Sequence, residues 1–166
     1  MPEGISNIQI RMALEDTAAI ASVLYQSFAE YKPLYTDEAF AATAATSDQI
    51  QQRMSEGPVW VALQNETIVG TVSAVSKSHD LYIRGMAILP TARGQSIGEL
   101  LLNEIESFAR RQSYQRLLLS TTPFLTRAIR LYERTGFRRS SEGPQDLCGT
   151  PLFSMVKVLP PSVQRQ

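Results

Sequence analysis

The chain has a single cysteine, Cys148, and a single histidine, His79, among 166 residues. One cysteine excludes an intramolecular disulfide framework, and one of each argues against a structural zinc site. A reducing compartment, the cytoplasm, is the expectation. Charge of one sign is also missing: Lys plus Arg is 16 and Asp plus Glu is 16, for a formal net charge of +0. Global charge therefore offers no argument for nucleic acid or an anionic membrane surface, although Arg110 to Arg139 is locally basic. No apolar run approaches the roughly 20 residues that span a bilayer, and no basic-then-apolar segment opens the chain. A soluble protein is expected. Internal repeats and low-complexity blocks are absent as well.

What is present is 43% apolar residues, enough for one globular domain over 1–159 with a tail at 160–166. Ile8 to Met12 alternates as a half-buried strand, and Asp16 is placed to cap a helix carrying Ile20, Val23, Leu24, Phe28 and Tyr31 up to Pro33. Thr36-Asp37-Glu38 and Ser47-Asp48 start two short helices, the second ending at Gly57-Pro58. Val59 to Leu63 and Thr67 to Val75 form a hairpin across Gln64-Asn65-Glu66, and Lys77 to Asp80 turns into the apolar run Leu81 to Leu89. Arg84-Gly85 interrupts that run, which predicts a bulge or a close backbone approach. A helix follows over Glu99 to Gln112. Arg116 to Thr121 reads as a buried parallel strand, Pro123 to Thr135 as a helix, and Phe137 and Leu152 to Leu159 as final strands around a loop from Ser141 to Pro151.

The centre of the pattern is Arg93-Gly94-Gln95-Ser96-Ile97-Gly98, between a strand and a helix. Such a turn aims unpaired backbone N–H groups at one point, which makes an anion site. A P-loop needs Lys and Ser or Thr after its last glycine, where this chain has Glu99 and Leu100; a dinucleotide fingerprint needs three spaced glycines after an early strand. Neither pattern fits.

Two blocks resemble the GNAT superfamily of acyl-CoA-dependent N-acyltransferases, over roughly Ile8 to Leu159. Met86-Ala87-Ile88-Leu89-Pro90 and the hexamer are similar to the family's strand and its Gln/Arg, any two residues, Gly, any residue, Gly/Ala pattern; Arg93 and Gly98 match and Ser96 departs. Ala128 to Phe137 is similar to the family's helix ending in Leu-Tyr, three residues, Gly-Phe, here Leu131-Tyr132 and Gly136-Phe137. The resemblance implies an α/β class fold, an α+β mixed sheet of about seven strands with about four helices and a splayed fourth and fifth strand.

It also implies acetyl-CoA as cosubstrate, no metal, and transfer to a primary amine of a small molecule or peptide, with a homodimer as a further expectation. The cofactor-binding set becomes Met86, Ala87, Ile88, Arg93, Gly94, Gln95, Ser96, Ile97, Gly98, Thr121 and Arg127, with Arg130 a further phosphate candidate. Ser96 suits the loop if its φ is negative; a positive φ would weaken binding. The family often has Asn where this chain has Leu125, so that side-chain bond to the cofactor is lost. Tyr132 is the catalytic candidate, a phenol of pKa near 10 that protonates a thiolate of pKa about 8.5 to 9, the alternative being a core tyrosine. An attacking amine of pKa near 10.4 costs about 4 to 5 kcal/mol to deprotonate at pH 7. The usual carboxylate on the fourth strand is missing, which leaves Glu30, Asp80, His79 or a water chain to accept the proton. Phe28, Tyr31 and Arg84 are assigned to the acceptor, with Tyr35, Phe40 and Cys148 on the same wall and Glu30, Asp37 and Glu38 suiting a cationic amine. A non-catalytic acyl-CoA-binding module of the same fold is the competing reading, and a generic α/β protein with an anion-binding turn is the third.

Overall fold

The computed structural model describes residues 7–161; the outer part of the tail expected at 160–166 lies outside the described residues. Strand β1 (Ile8–Met12) leads to helix α1 (Thr17–Phe28), a 3-10 segment (Ala29–Leu34), α2 (Asp37–Thr43) and α3 (Ser47–Glu56). Then come β2 (Val59–Gln64), β3 (Thr67–Lys77), β4 (Asp80–Ile88), a 3-10 turn (Pro90–Ala92), α4 (Ile97–Arg111), β5 (Arg116–Thr121) and α5 (Thr126–Arg134). The chain continues through β6 (Arg138–Ser140), β7 (Asp146–Leu147), β8 (Thr150–Pro151) and β9 (Phe153–Val158). Among the described residues this makes a 7-stranded sheet in the order β1-β2-β3-β4-β5-β9-β6 and a separate β7-β8 hairpin. The mixed sheet and its five α-helices have the predicted architecture, with a small hairpin inside the loop from Ser141 to Pro151.

Local chemistry explains most element ends. Asn65 and Glu66 both have positive φ, 50° and 67°, which turns β2 tightly into β3 with the twist that hairpins favour. Thr46 and Gln49 form a reciprocal capping box at α3. Asp16 differs from expectation: its carboxylate makes no cap to α1 and instead takes Arg11 Nη1 at 2.9 Å and the Leu14 N–H at 2.9 Å. The guanidinium hydrogen bond first, then the backbone bond, hold its pKa below the usual carboxylate value. β3 extends to Lys77, so the turn into β4 is confined to Ser78-His79.

Two hydrophobic layers sandwich the sheet. Ile97, Leu101, Leu102, Ile105 and Ala109 of α4 pack on Trp60, Val72, Leu81 and Leu117 on one face. Ile20, Val23 and Leu24 of α1 and Ile50 of α3 pack on Val59 and Val61 on the other. The helical spacing of the α4 residues makes that face continuous, so α4 crosses over the sheet and delivers β5 parallel to β4.

That parallel pairing is short: Asp80, Leu81 and Tyr82 pair with Arg116, Leu117 and Leu118, and the register ends there. Beyond it β4 and β5 diverge. β4 also bends, because its register with β3 shifts between Thr71 and Ser73 opposite Gly85, whose φ is 64°. No helix among the described residues is long and apolar enough to cross a membrane.

Candidate active site

A cleft of about 470 Å³ fills the gap between β4 and β5. Its walls are Arg84 to Ile88 of β4, Leu119 to Thr122 at the end of β5, Leu125 with Arg127, Ala128, Leu131 and Tyr132 of α5, and Phe28, Tyr31 and Tyr35 at and after the end of α1. A second pocket of about 390 Å³ lies over the turn before α4 and shares Ile88, Arg93, Arg127 and Leu131 with the cleft. The two adjoin across that shared wall, between the turn and the strand gap.

In that turn Gly94 has φ 82°, and a Cβ built on it would meet nothing within 4 Å, so its backbone faces open space. Ser96 has φ 61°, ψ 23°. Of the two cases left open, the positive φ holds: Ser96 keeps the left-handed geometry that glycine normally supplies, at a cost of roughly 1–2 kcal/mol. Its side chain makes no cap on α4, so the first-turn N–H groups keep their free direction toward the pocket. Gly98 is closely packed by side chains instead. A Cβ there would come 2.5 Å from Leu131 Cδ2 and 3.2 Å from Met86 Cε. The two sequence blocks thus meet physically at Gly98 and Leu131.

The remaining predicted cofactor residues separate by direction. Met86, Ala87, Ile88 and Thr121 line the cleft, and Ile97, Arg127 and Arg130 line the pockets at the turn. The Gln95 side chain turns away, accepting from Gln64 Nε2 at 2.7 Å and donating to the Ala92 carbonyl at 3.4 Å. Arg93 is anchored to α1 and the segment after it, pairing with Glu30 at 2.6 Å and donating to the Ser27 carbonyl at 3.3 Å. Ser27 in turn donates to the Ile88 carbonyl at 3.0 Å, tying α1 to the end of β4.

Tyr132 is only 7% exposed, sits edge-on to Phe137 with ring centroids 5.8 Å apart, and lines the cleft with Tyr82 and Thr121. Burial above all, then the neighbouring Tyr35 and Tyr82, pushes its phenol pKa up. It is a core side chain and a cleft side chain at once.

The candidate proton acceptors are elsewhere. Asp80 is bound to Arg116 at 2.8 Å in the paired end of β4, with exposed His79 beside it, and Glu30 is held by Arg93. Phe28, Tyr31 and Arg84 do line the cleft, with Leu125. Tyr31 and Tyr35 pack on Phe124, with centroids 6.1 Å and 4.9 Å away, while Phe40 stands behind Tyr35. Cys148 is exposed in the β7-β8 hairpin, its carbonyl accepting from Thr36 Oγ1 at 2.7 Å. Asp37 and Glu38 are exposed on α2, away from the cleft lining.

The acidic wall expected for a cationic amine is thus replaced: the charged side chains lining the cleft are Arg53, Arg84, Arg93 and Arg127. Sequence reasoning missed Arg53 and Ser27. Arg53 follows buried Ile50 by less than one helical turn, a spacing that does not say which neighbour its long side chain will reach.

The family model described as "Acetyltransferase (GNAT) family" matches residues 21–137. The chain is 32% identical over 138 residues to the uncharacterized N-acetyltransferase YjgM of Escherichia coli (strain K12), covering 80% of this chain and 82% of that protein. It is 31% identical over 110 residues to the N-acetylaspartate synthetase of Danio rerio, covering 65% of this chain but 39% of that one. The fold is similar to that of the PaiA N-acetyltransferase of Thermoplasma acidophilum in complex with coenzyme A, with a TM-score of 0.79 at 16% identity over 92% of this chain and 99% of that one. A family match over more than half the chain and a relative aligned across most of its own length agree with the splayed strands and the glycine-containing turn: the chain belongs to the GNAT family of acetyltransferases.

Proposed function

We propose that the protein transfers the acetyl group of acetyl-CoA to the primary amine of a small molecule or peptide, by direct attack in a ternary complex, as a soluble enzyme of the cytoplasm. The observation that carries this reading is that the strand gap adjoins the open turn at Gly94–Gly98 across a shared wall, with Tyr132 lining the gap. Gly94 and the first-turn N–H groups of α4 suit a pyrophosphate, Arg127 and Arg130 supply positive charge beside it, and Met86–Ile88, paired with β3 but beyond the end of the pairing with β5, offers an edge for a pantetheine amide. Helix-end attraction gives about 0.3–1 kcal/mol, up to about 2 when partly buried, so direct N–H bonds carry the rest.

Acetyl-CoA, as substrate, supplies an activated thioester. The acceptor nitrogen attacks the carbonyl carbon, the new C–N bond forming as the C–S bond breaks. The departing thiolate takes the Tyr132 proton, and the amine proton leaves to water, which later restores the phenol. Burial keeps Tyr132 protonated through neutral pH and also makes it a weaker acid, so its hydrogen bond to the developing thiolate matters as much as complete transfer. Nearby guanidinium groups lower the pKa of a bound amine, since like charge disfavours the ammonium form.

Isothermal titration with acetyl-CoA and a thiol-release screen across amines, amino acids and peptides test the proposal. Saturable binding with amine-dependent CoA release is expected. Failure to bind at millimolar acetyl-CoA removes it.

A further inference from the structure

The acceptor side of the cleft carries more positive than negative charge, and the two arginines responsible are unequally satisfied. Arg84 on β4 pairs with Glu56 of α3, yet its Nε is buried with no hydrogen-bond partner. Arg53, one turn before Glu56 on α3, has still less: among the described residues it makes no ion pair, and its one side-chain hydrogen bond is a 3.4 Å contact from Nη2 to the Ala42 carbonyl. It is drawn in over the bulge, where a Cβ on Gly85 would lie 2.8 Å from its Nη1. Glycine at this bend therefore leaves room for a guanidinium against the β4 backbone. Burial, and then the charge of Arg84, pull the Arg53 pKa down, with Glu56 offsetting only part.

Two guanidinium groups against one carboxylate, in a volume walled by Tyr31, Tyr35 and Tyr82, form a site that favours an anion. The pocket at the turn is lined by Arg93, Arg127, Arg130 and Arg134 but by neither Arg53 nor Arg84, so this charge is separate from the one that faces a pyrophosphate. A bare ammonium would be repelled here. An amine that brings its own carboxylate would not, and planar guanidinium groups match carboxylates through paired N–H donors.

We infer that the acceptor is a small amine bearing a carboxylate on the same molecule, a free amino acid being the simplest case, and that Arg53 and Arg84 bind that carboxylate. This rests on the acetyl-transfer reading of the same cleft. It also eases the missing base, because a carboxylate paired with arginine no longer holds its own neighbouring amine in the charged form.

The test compares the L-amino acids with their carboxamides as acceptors, at fixed acetyl-CoA, in the wild type and in Arg53→Gln and Arg53→Lys. The free acids are expected to exceed their amides at least tenfold in kcat/KM. R53Q should shrink that preference below threefold, mainly through KM for the acid, and R53K should retain part of it. Amides used as well as acids, or a preference untouched by R53Q in a protein that melts normally, would overturn the inference while leaving acetyl transfer standing. If neither class turns over, the transfer reading fails, and the carboxylate site is decided by titrating CoA-loaded protein with N-acetyl amino acids and their amides. A preference of at least fivefold for the acids that R53Q abolishes upholds the site, and equal binding rejects it.

Discussion

The turn before α4 and the far side of the cleft, where we place the acceptor, present positive charge by different means. At the turn the donors are main-chain N–H groups, aimed by left-handed Gly94 and Ser96 and by the start of a helix. At the acceptor side they are side chains from α3 and β4, with aromatic neighbours from the segment after α1. A backbone site depends on φ and close approach, so it tolerates few residue types at fixed spacing. A site of side chains depends on where distant elements pack, and many sequences can build it. The first kind leaves a local mark, whereas the second does not.

Tyr132 stands between the two, and removing its hydroxyl should give the largest effect. Tyr132→Phe is expected to lower kcat about 100-fold while the acetyl-CoA Kd and the acceptor KM stay within threefold. Full kcat from pH 6 to 9 by thiol release would show that the phenol is only core. Its raised pKa carries a stability signature too. The native phenol stays protonated while the unfolded one ionises near pH 10, so the wild type loses stability as pH rises through 10, and the variant loses less. Urea melts at pH 8 and 10.5 measure this.

Gly94→Val tests the turn alone. A β-branched residue at φ 82° is strained, and its side chain enters the open space above the loop. Acetyl-CoA affinity should fall about tenfold, equivalent to about 1.4 kcal/mol, with acceptor KM unchanged. A matching loss at both ends would dissolve the distinction between them.

Glu30→Gln is expected to do less. Glu30 is 47% exposed and serves Arg93, so the variant should cost at most about 1 kcal/mol of stability and leave kcat within threefold. A 100-fold fall in kcat would instead make Glu30 the proton acceptor. Ser96→Gly should have the smallest effect. Relief of roughly 1–2 kcal/mol of left-handed strain is opposed by about 0.4–1 kcal/mol of extra unfolded-state freedom, for a net gain near or below about 1 kcal/mol. Acetyl-CoA titration within twofold of wild type would confirm that serine already holds the required geometry.

Much of the frame could be read from the chain. Helical spacing in Leu101, Leu102 and Ile105, the Arg84-Gly85 interruption and the Leu131-Tyr132 block each act over one turn or one bend, and each takes its expected place. Asp16 was less legible because Arg11 and the Leu14 N–H compete for the same carboxylate. The φ of Ser96 stayed open for a similar reason: residue type states a preferred φ, and the surrounding turn imposed another.

The amino-acid sequence alone determined the order of strands and helices and the glycine-containing turn, because periodicity and backbone conformation are set by neighbours along the chain, and its two motif blocks carried the family resemblance. The tertiary structure decided that Gly98 packs against Leu131, that Glu30 holds Arg93 and that Arg53 and Arg84 share one side of the cleft. Those contacts join residues far apart in the chain, and long flexible side chains settle only after the elements bearing them have packed.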